Sequence, residues 1–239
     1  MKMLLPFFFF LQLIVFSQTN VDKLAKQLEE LGNFSFNDWK ISENLSSGVK
    51  FNETPYEVNF DDSGWKTIGL DEVSRFDSCW LRKEIILPKT FLGLPVEGKV
   101  KLLVSVDDFG YMWINGESKS YFPWDGDFTL TENAKPGQKF LVAIKAINTG
   151  GPLRIIRAQL DVETSKPLRE KISDFNLSIQ TGQKLLSFDT YQTNARVKVD
   201  LGIDKSSLDK SEKEKLNQLL QDACFQVDVE ALKEGNVSK

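Results

Sequence analysis

The sequence predicts a mainly β chain. The expected architecture is an antiparallel jelly-roll β-sandwich with a short helix before it and a helical appendage after it. Three observations lead there. Runs such as Lys101–Val106 (K-L-L-V-S-V) alternate at period 2, the mark of a half-buried strand. Turn signals punctuate these runs at near-regular spacing, among them Asn115-Gly116, Ala134-Lys135-Pro136-Gly137 and Gly150-Gly151-Pro152. Apolar residues at helical spacing appear only toward the two ends of the chain.

Residues 1–17 read as a secretion signal. Lys2 supplies the positive start, Leu4 to Phe16 the apolar run, and Val15 and Ser17 suit the −3 and −1 positions of a cleavage site after Ser17. That run is short for a transmembrane helix, and no Cys follows it to carry a lipid. The expectation is a secreted or periplasmic protein without a membrane span. Residues 18–33 hold an amphipathic helix: Val21, Leu24, Leu28 and Leu31 share one face and Gly32 ends it.

Residues 34–164 form the predicted sandwich. Phe36 to Ile41 opens it, and Asp61 to Trp65 is a turn followed by a buried aromatic. Cys79 to Leu87 is a strand closed by Pro88. Val100 to Val106 and Tyr111 to Ile114 are two strands separated by Asp107-Asp108-Phe109-Gly110. Asn115-Gly116 fits a type I′ turn, in which both central residues need positive φ. Phe128 to Leu130 is a short strand, Phe140 to Ile147 a longer one. Ile155 to Val162 closes the set, with Ile156, Ala158, Leu160 and Val162 on one face. Residues 165–239 change character into a mostly helical connector. Lys166 to Leu186 is weakly helical. Ser206 to Leu220 is helical and charged, with Ser or Asp as N-cap. Val227 to Lys239 is polar and lacks a closing element.

Composition narrows the chemistry. The 239 residues carry 41% hydrophobic and 27% charged side chains and a net charge of −4, which fits a folded domain without a basic patch for nucleic acid. There is no histidine, so neither a Ser-His-Asp nor a Cys-His nucleophile system can be assembled from this chain. Cys79 and Cys224 are the only thiols. They either pair in an oxidising compartment or, as the simpler expectation, stay two buried free cysteines. Asn-X-Ser/Thr sequons stand at Asn33, Asn44, Asn52, Asn176 and Asn236.

Paired carboxylates are the signature of glycosidase chemistry. Asp61-Asp62, Asp107-Asp108 and Asp125-Gly126-Asp127 are the pairs present. All sit at predicted turns, where Asp bonds its own backbone, so a catalytic role is not expected. A structural Ca²⁺ at one of these turns is the one cofactor that their hard oxygen ligands suit. Sugar rings stack on aromatic faces. Tyr121-Phe122-Pro123-Trp124-Asp125 is predicted to be a loop that exposes Tyr121, Trp124 as a stacking platform and Asp125 as a hydroxyl acceptor. The alternative is that Trp124 packs on the sandwich edge or on a partner domain. Trp39, Trp65, Trp80 and Trp113 are expected in the core. Arg82 and Arg154 are expected in surface ion pairs.

The β segments resemble the galactose-binding-like jelly roll at the N-terminus of multidomain glycoside hydrolases. Asp61-Asp62-Ser63-Gly64-Trp65 resembles the "F-D-D-S-x-W" opening of that module. Cys79-Trp80-Leu81-Arg82 resembles its "W-x-R" strand, and Trp113-Ile114-Asn115-Gly116 its "V-W-V-N-G" hairpin. Ala134-Lys135-Pro136-Gly137 resembles its "L-K-P-G" turn, with Gln138 and Lys139 in place of the usual Asn-containing stretch. The resemblance spans Phe34 to Val162. It implies a non-catalytic accessory domain of an exported hydrolase, a downstream glycoside hydrolase catalytic domain as partner, and glycan as ligand. The region around Leu232-Lys233-Glu234-Gly235-Asn236 is similar to the connector that leads into the metal-dependent domain of family 38 α-mannosidases, and the chain stops before any His-containing metal motif. A free-standing secreted carbohydrate-binding module is the other reading.

Overall fold

A computed structural model describes residues 20–45, 54–187 and 208–236. The predicted signal peptide, the sequon at Asn52 and the start of the helix expected from Ser206 lie outside them. The chain divides into two compact units. One is Asn33–Lys166; the other combines the residues up to Gly32 with those from Pro167 onward.

The first unit is mainly β, as expected. Its strands are β1 (Phe34–Ser35), β2 (Trp39–Ile41), β3 (Lys66–Ile68), β4 (Ser78–Ile86), β5 (Thr90–Phe91), β6 (Leu94–Pro95), β7 (Val100–Ile114), β8 (Glu117–Thr131), β9 (Lys139–Ile147) and β10 (Ile155–Val162). One antiparallel sheet runs β1-β10-β7-β9-β4-β2-β3, with β8 paired to β7 alone; β5 and β6 make a separate ribbon. The sheet curls around one core that contains Trp39, Leu81, Ile85, Leu102, Met112, Ile144 and Leu160.

The expected break at Asp107–Gly110 does not end a strand. β7 is continuous over 15 residues and changes neighbour there. Val100–Val106 pair with β10, whereas Phe109–Ile114 pair with β9. The interruption in the pattern therefore marks the bend about which the sheet curls. Asn115 (φ 53) and Gly116 (φ 82) form the predicted positive-φ turn into β8.

β8 departs most from the sequence reading. It spans 15 residues, and the predicted Tyr121–Asp125 loop is strand. Its first half is polar and contains Pro123, so it shows no alternation. An edge strand tolerates both features, because its order is imposed by β7 and Pro lacks a donor only toward the open side. The expected run Phe36 to Ile41 is likewise split. Asp38 takes φ 61, and the chain passes from pairing with β10 to pairing with β3 and β4. In β10 a bulge between Ile155 and Arg157 puts Ile155 in the core, leaving Ile156 half-buried instead of on the inner face.

The second unit is helical. Helix α1 (20–32) buries the predicted stripe Val21, Leu24, Leu28 and Leu31, together with Ala25. Helix α2 (Lys166–Ser187) buries Leu168, Ile172 and Ile179, and its Gln183 donates to Asp22 of α1. Helix α3 (Lys210–Gln226) starts at a capping box in which Asp209 and Glu212 bond each other's backbone amides. A Cβ on Gly182 would lie 3.1 Å from Leu220, so the glycine lets α2 and α3 approach. A short helix α4 (Val229–Lys233) stands where no closing element was expected; the Asp228 side chain caps it by accepting from Ala231 N at 3.0 Å. No helix among the described residues is long and apolar enough to cross a membrane. Both cysteines are free thiols; Cys79 is buried as expected, whereas Cys224 is only half-buried.

Candidate functional site

Pairing register places one row of side chains across the outer face of the sheet: Tyr121 of β8, Tyr111 of β7, Lys145 of β9 and Trp80 of β4. Phe109 and Trp113 flank Tyr111 on the same face of β7, two residues to either side. Tyr121 lies 5.5 Å from both Phe109 and Tyr111, ring centre to ring centre. Tyr111 is 40% exposed and Tyr121 50%. At the other end of the row the aromatics are covered. Tyr56 stacks on Trp113 at 5.5 Å and lies 6.2 Å from Trp80, and the two indoles are 5.0 Å apart.

The segment that carries Tyr56 is held by Arg82, which lies next but one to Trp80 on β4. Its buried guanidinium donates from Nε to Asp62 at 2.8 Å. It also reaches the carbonyls of Pro55, Glu57 and Phe60, and packs 5.3 Å from the Phe60 ring centre. The expected surface ion pair of Arg82 is thus a buried one, because residues 54–65 fold over it. Arg154 pairs with Asp107 at 3.4 Å, but that carboxylate is buried, so this pair too is not the expected surface one. Trp39 and Trp80 are buried as expected, but Trp65 and Trp113 are only half-buried. Phe60 lies against Trp65, and Tyr56 and Trp80 lie against Trp113, all outside the sandwich core.

The three residues singled out in the sequence are not gathered into one loop. Tyr121 joins the aromatic row. Trp124 is 44% exposed and sits at φ 57, where β7 has three residues against one in β8. Asp125 faces outward but is engaged: Ser105 Oγ and Arg157 Nη2 (2.8 Å) both donate to its Oδ1. Sequence reasoning missed Tyr111 and Phe109. Counting back from the Asn115-Gly116 turn pairs Ile114 with Glu117 and Trp113 with Ser118, as observed. A one-residue bulge then follows, so Tyr111 meets Tyr121 rather than Ser120. That slip turns Tyr121 outward and Phe122 into the core.

The carboxylate pairs separate into distinct roles. Asp61 accepts from Ser63, which lowers its pKa, whereas Asp62 holds Arg82. Asp127 pairs with Lys101 at 2.9 Å and raises the lysine's pKa. Burial, then the neighbouring Asp108, push the Asp107 carboxyl above the usual carboxylate value. The Thr149 hydroxyl and amide hold Asp108 below it. No group of three or more His, Cys, Asp or Glu side chains converges as a metal site among the described residues.

No protein-family model matches the chain, and no curated protein matches it. Solved structures are similar over about half of it. One is a glycosyl hydrolase family 2 member from Bacteroides cellulosilyticus, with 17% identity, TM-score 0.40, 53% of this chain and 20% of that one. A β-glucuronidase from glycoside hydrolase family 2 gives 24% identity, TM-score 0.38, and coverage of 50% and 14%. A β-glycosidase from Bacteroides vulgatus gives 18%, 0.41, and coverage of 55% and 20%. The chain therefore spans a fifth or less of the length of these proteins.

Proposed function

We propose that this chain is a non-catalytic accessory module of an exported glycoside hydrolase. Its work is to brace a catalytic domain and to present an aromatic face to glycan. The observation that carries this reading is where the hydrolase-module signatures lie. Asp62 and Arg82 lock the 54–65 segment onto the sheet, Trp80 and Trp113 pack beneath Tyr56, and Asn115-Gly116 turns β7 into β8. Each builds the scaffold, and each acidic pair is divided between separate partners rather than aimed at a common bond. Within this reading the catalytic domain is of α-mannosidase type, on the strength of the connector sequence. Glycan contact falls to Tyr121, Trp124 and Asp125. A structural Ca²⁺ at one of the acidic turns belongs to the same proposal.

The test is turnover. The purified chain, given aryl glycosides of mannose, galactose and glucuronic acid, is expected to release no phenol above the blank. Release that disappears in Asp107→Asn or Asp62→Asn would overturn the proposal by showing a catalytic carboxylate in this chain.

A further inference from the structure

The row Tyr121–Tyr111–Lys145–Trp80 holds a cation without an answering anion. Five lysines of the β unit are half-buried: Lys40, Lys83, Lys99, Lys101 and Lys145. Lys40 and Lys83 donate to backbone carbonyls, at 3.4 Å (Trp65) and 2.7 Å (Asn37). Lys99 and Lys101 each meet a carboxylate at 2.9 Å. Of these five, Lys145 alone has no such partner among the described residues. The carboxylates of the adjacent strands β4 and β7 are already held, Glu84 by Lys139, Asp107 by Arg154 and Asp108 by Thr149. A half-buried lysine whose ammonium has no carboxylate partner favours an anionic ligand.

The ring faces beside it set the rest of the ligand. Tyr111 and Tyr121 are half-exposed and lie side by side with half-buried Phe109. Together they present on the order of 200–300 Å² of aromatic surface. A stable protein interface needs about 800 Å² per partner, so a small ring fits this patch better than a second protein. Phenol hydroxyls at its rim suit a ligand rich in hydroxyls. We infer that this shelf binds an acidic glycan, its sugar ring on Tyr111 and Tyr121 and its carboxylate on the Lys145 ammonium. The inference rests on the glycan-contacting reading above and names the class of sugar.

Calorimetry tests it with a galacturonate trimer and its neutral galactose counterpart as probes. The acidic trimer is expected to bind at least about tenfold tighter, as one charge-assisted contact allows. Its affinity should fall as salt is raised. Lys145→Met should reduce the acidic trimer to the neutral level, and Tyr121→Ala should weaken both probes severalfold. The salt series uses the unaltered protein, so the inference stays testable if a variant fails to fold. Equal, salt-independent binding of the two trimers would overturn the acidic assignment and leave the glycan-contacting module standing. No binding of either would overturn the inference and remove glycan contact from the proposed function as well.

Discussion

Arg82 shows how one side chain fixes a layer. It is almost fully buried, and its donors go to Asp62 and to three carbonyls of residues 55–60. Removing it strands the Asp62 carboxylate and three acceptors that water reaches poorly. Arg82→Met should therefore destabilise the protein by about 2–4 kcal/mol. Urea unfolding followed by circular dichroism checks this; a loss below ~1 kcal/mol would mean that Tyr56 packing holds the segment without Arg82. The thiols give a second prediction. Burial pushes Cys79 up to about 12 and raises Cys224 as well, but Cys224 is half-exposed. At neutral pH a maleimide should label Cys224 alone in the native protein and both thiols in denaturant. Asp107 and Asp108 give a third. On acidification Asp107, raised by burial and by Asp108, should protonate first, and Asp108, held down by Thr149, last. Carbon-13 titration of the two carboxyls reads the order directly. The signs differ for stability. Asp108 contributes above the ordinary carboxylate value, and that contribution is lost as pH falls through its own lower value. The Asp107 contribution is present at low pH and is lost as pH rises through its raised value.

At the scale of elements the long β7–β8 hairpin sets both the curl and the candidate face. Its packing depends on two glycines. A Cβ on Gly110 would come within 2.7 Å of the Phe122 ring, and one on Gly126 would fall on Phe128 and within 3.0 Å of Phe122. These rings pack edge to face at 5.3 Å in the core. Gly126→Ala should therefore destabilise the fold by about 1–3 kcal/mol through overpacking, measured as a shift in the urea midpoint. The alternating strands β9 and the first half of β7 were legible in the sequence, as were strand β4 with Pro88 closing it, the Asn115-Gly116 turn and helix α1. What was not legible has a common cause. β8 takes its order from β7 and carries no pattern of its own over Glu117–Asp125. The bulges at Trp113/Tyr111 and at Ile155/Arg157 change which residues face outward without leaving a local mark. So Tyr121 and Trp124 were readable as exposed aromatics, whereas their strand placement and the company of Tyr111 and Phe109 depended on register. The Arg82 cluster is a long-range event between β4 and a segment some twenty residues earlier, which spacing along the chain does not report.

At the scale of the whole molecule, one chain carries a histidine-free β unit with divided carboxylates and an aromatic outer face, and a helical unit whose caps, Asp209 and Asp228, are well formed. In the proposed function this scaffold works in company with a glycoside hydrolase catalytic domain. The measurement that tests this most directly starts from the native source. An antibody against the β unit captures the protein, which is then sized under denaturing and native conditions and assayed on aryl mannosides and other aryl glycosides. The expected result is a species larger than this chain, either as one polypeptide or as a complex, that hydrolyses a glycoside while the purified chain alone does not. A captured species of this chain's own size, alone and inactive, would contradict it and favour the free-standing carbohydrate-binding module.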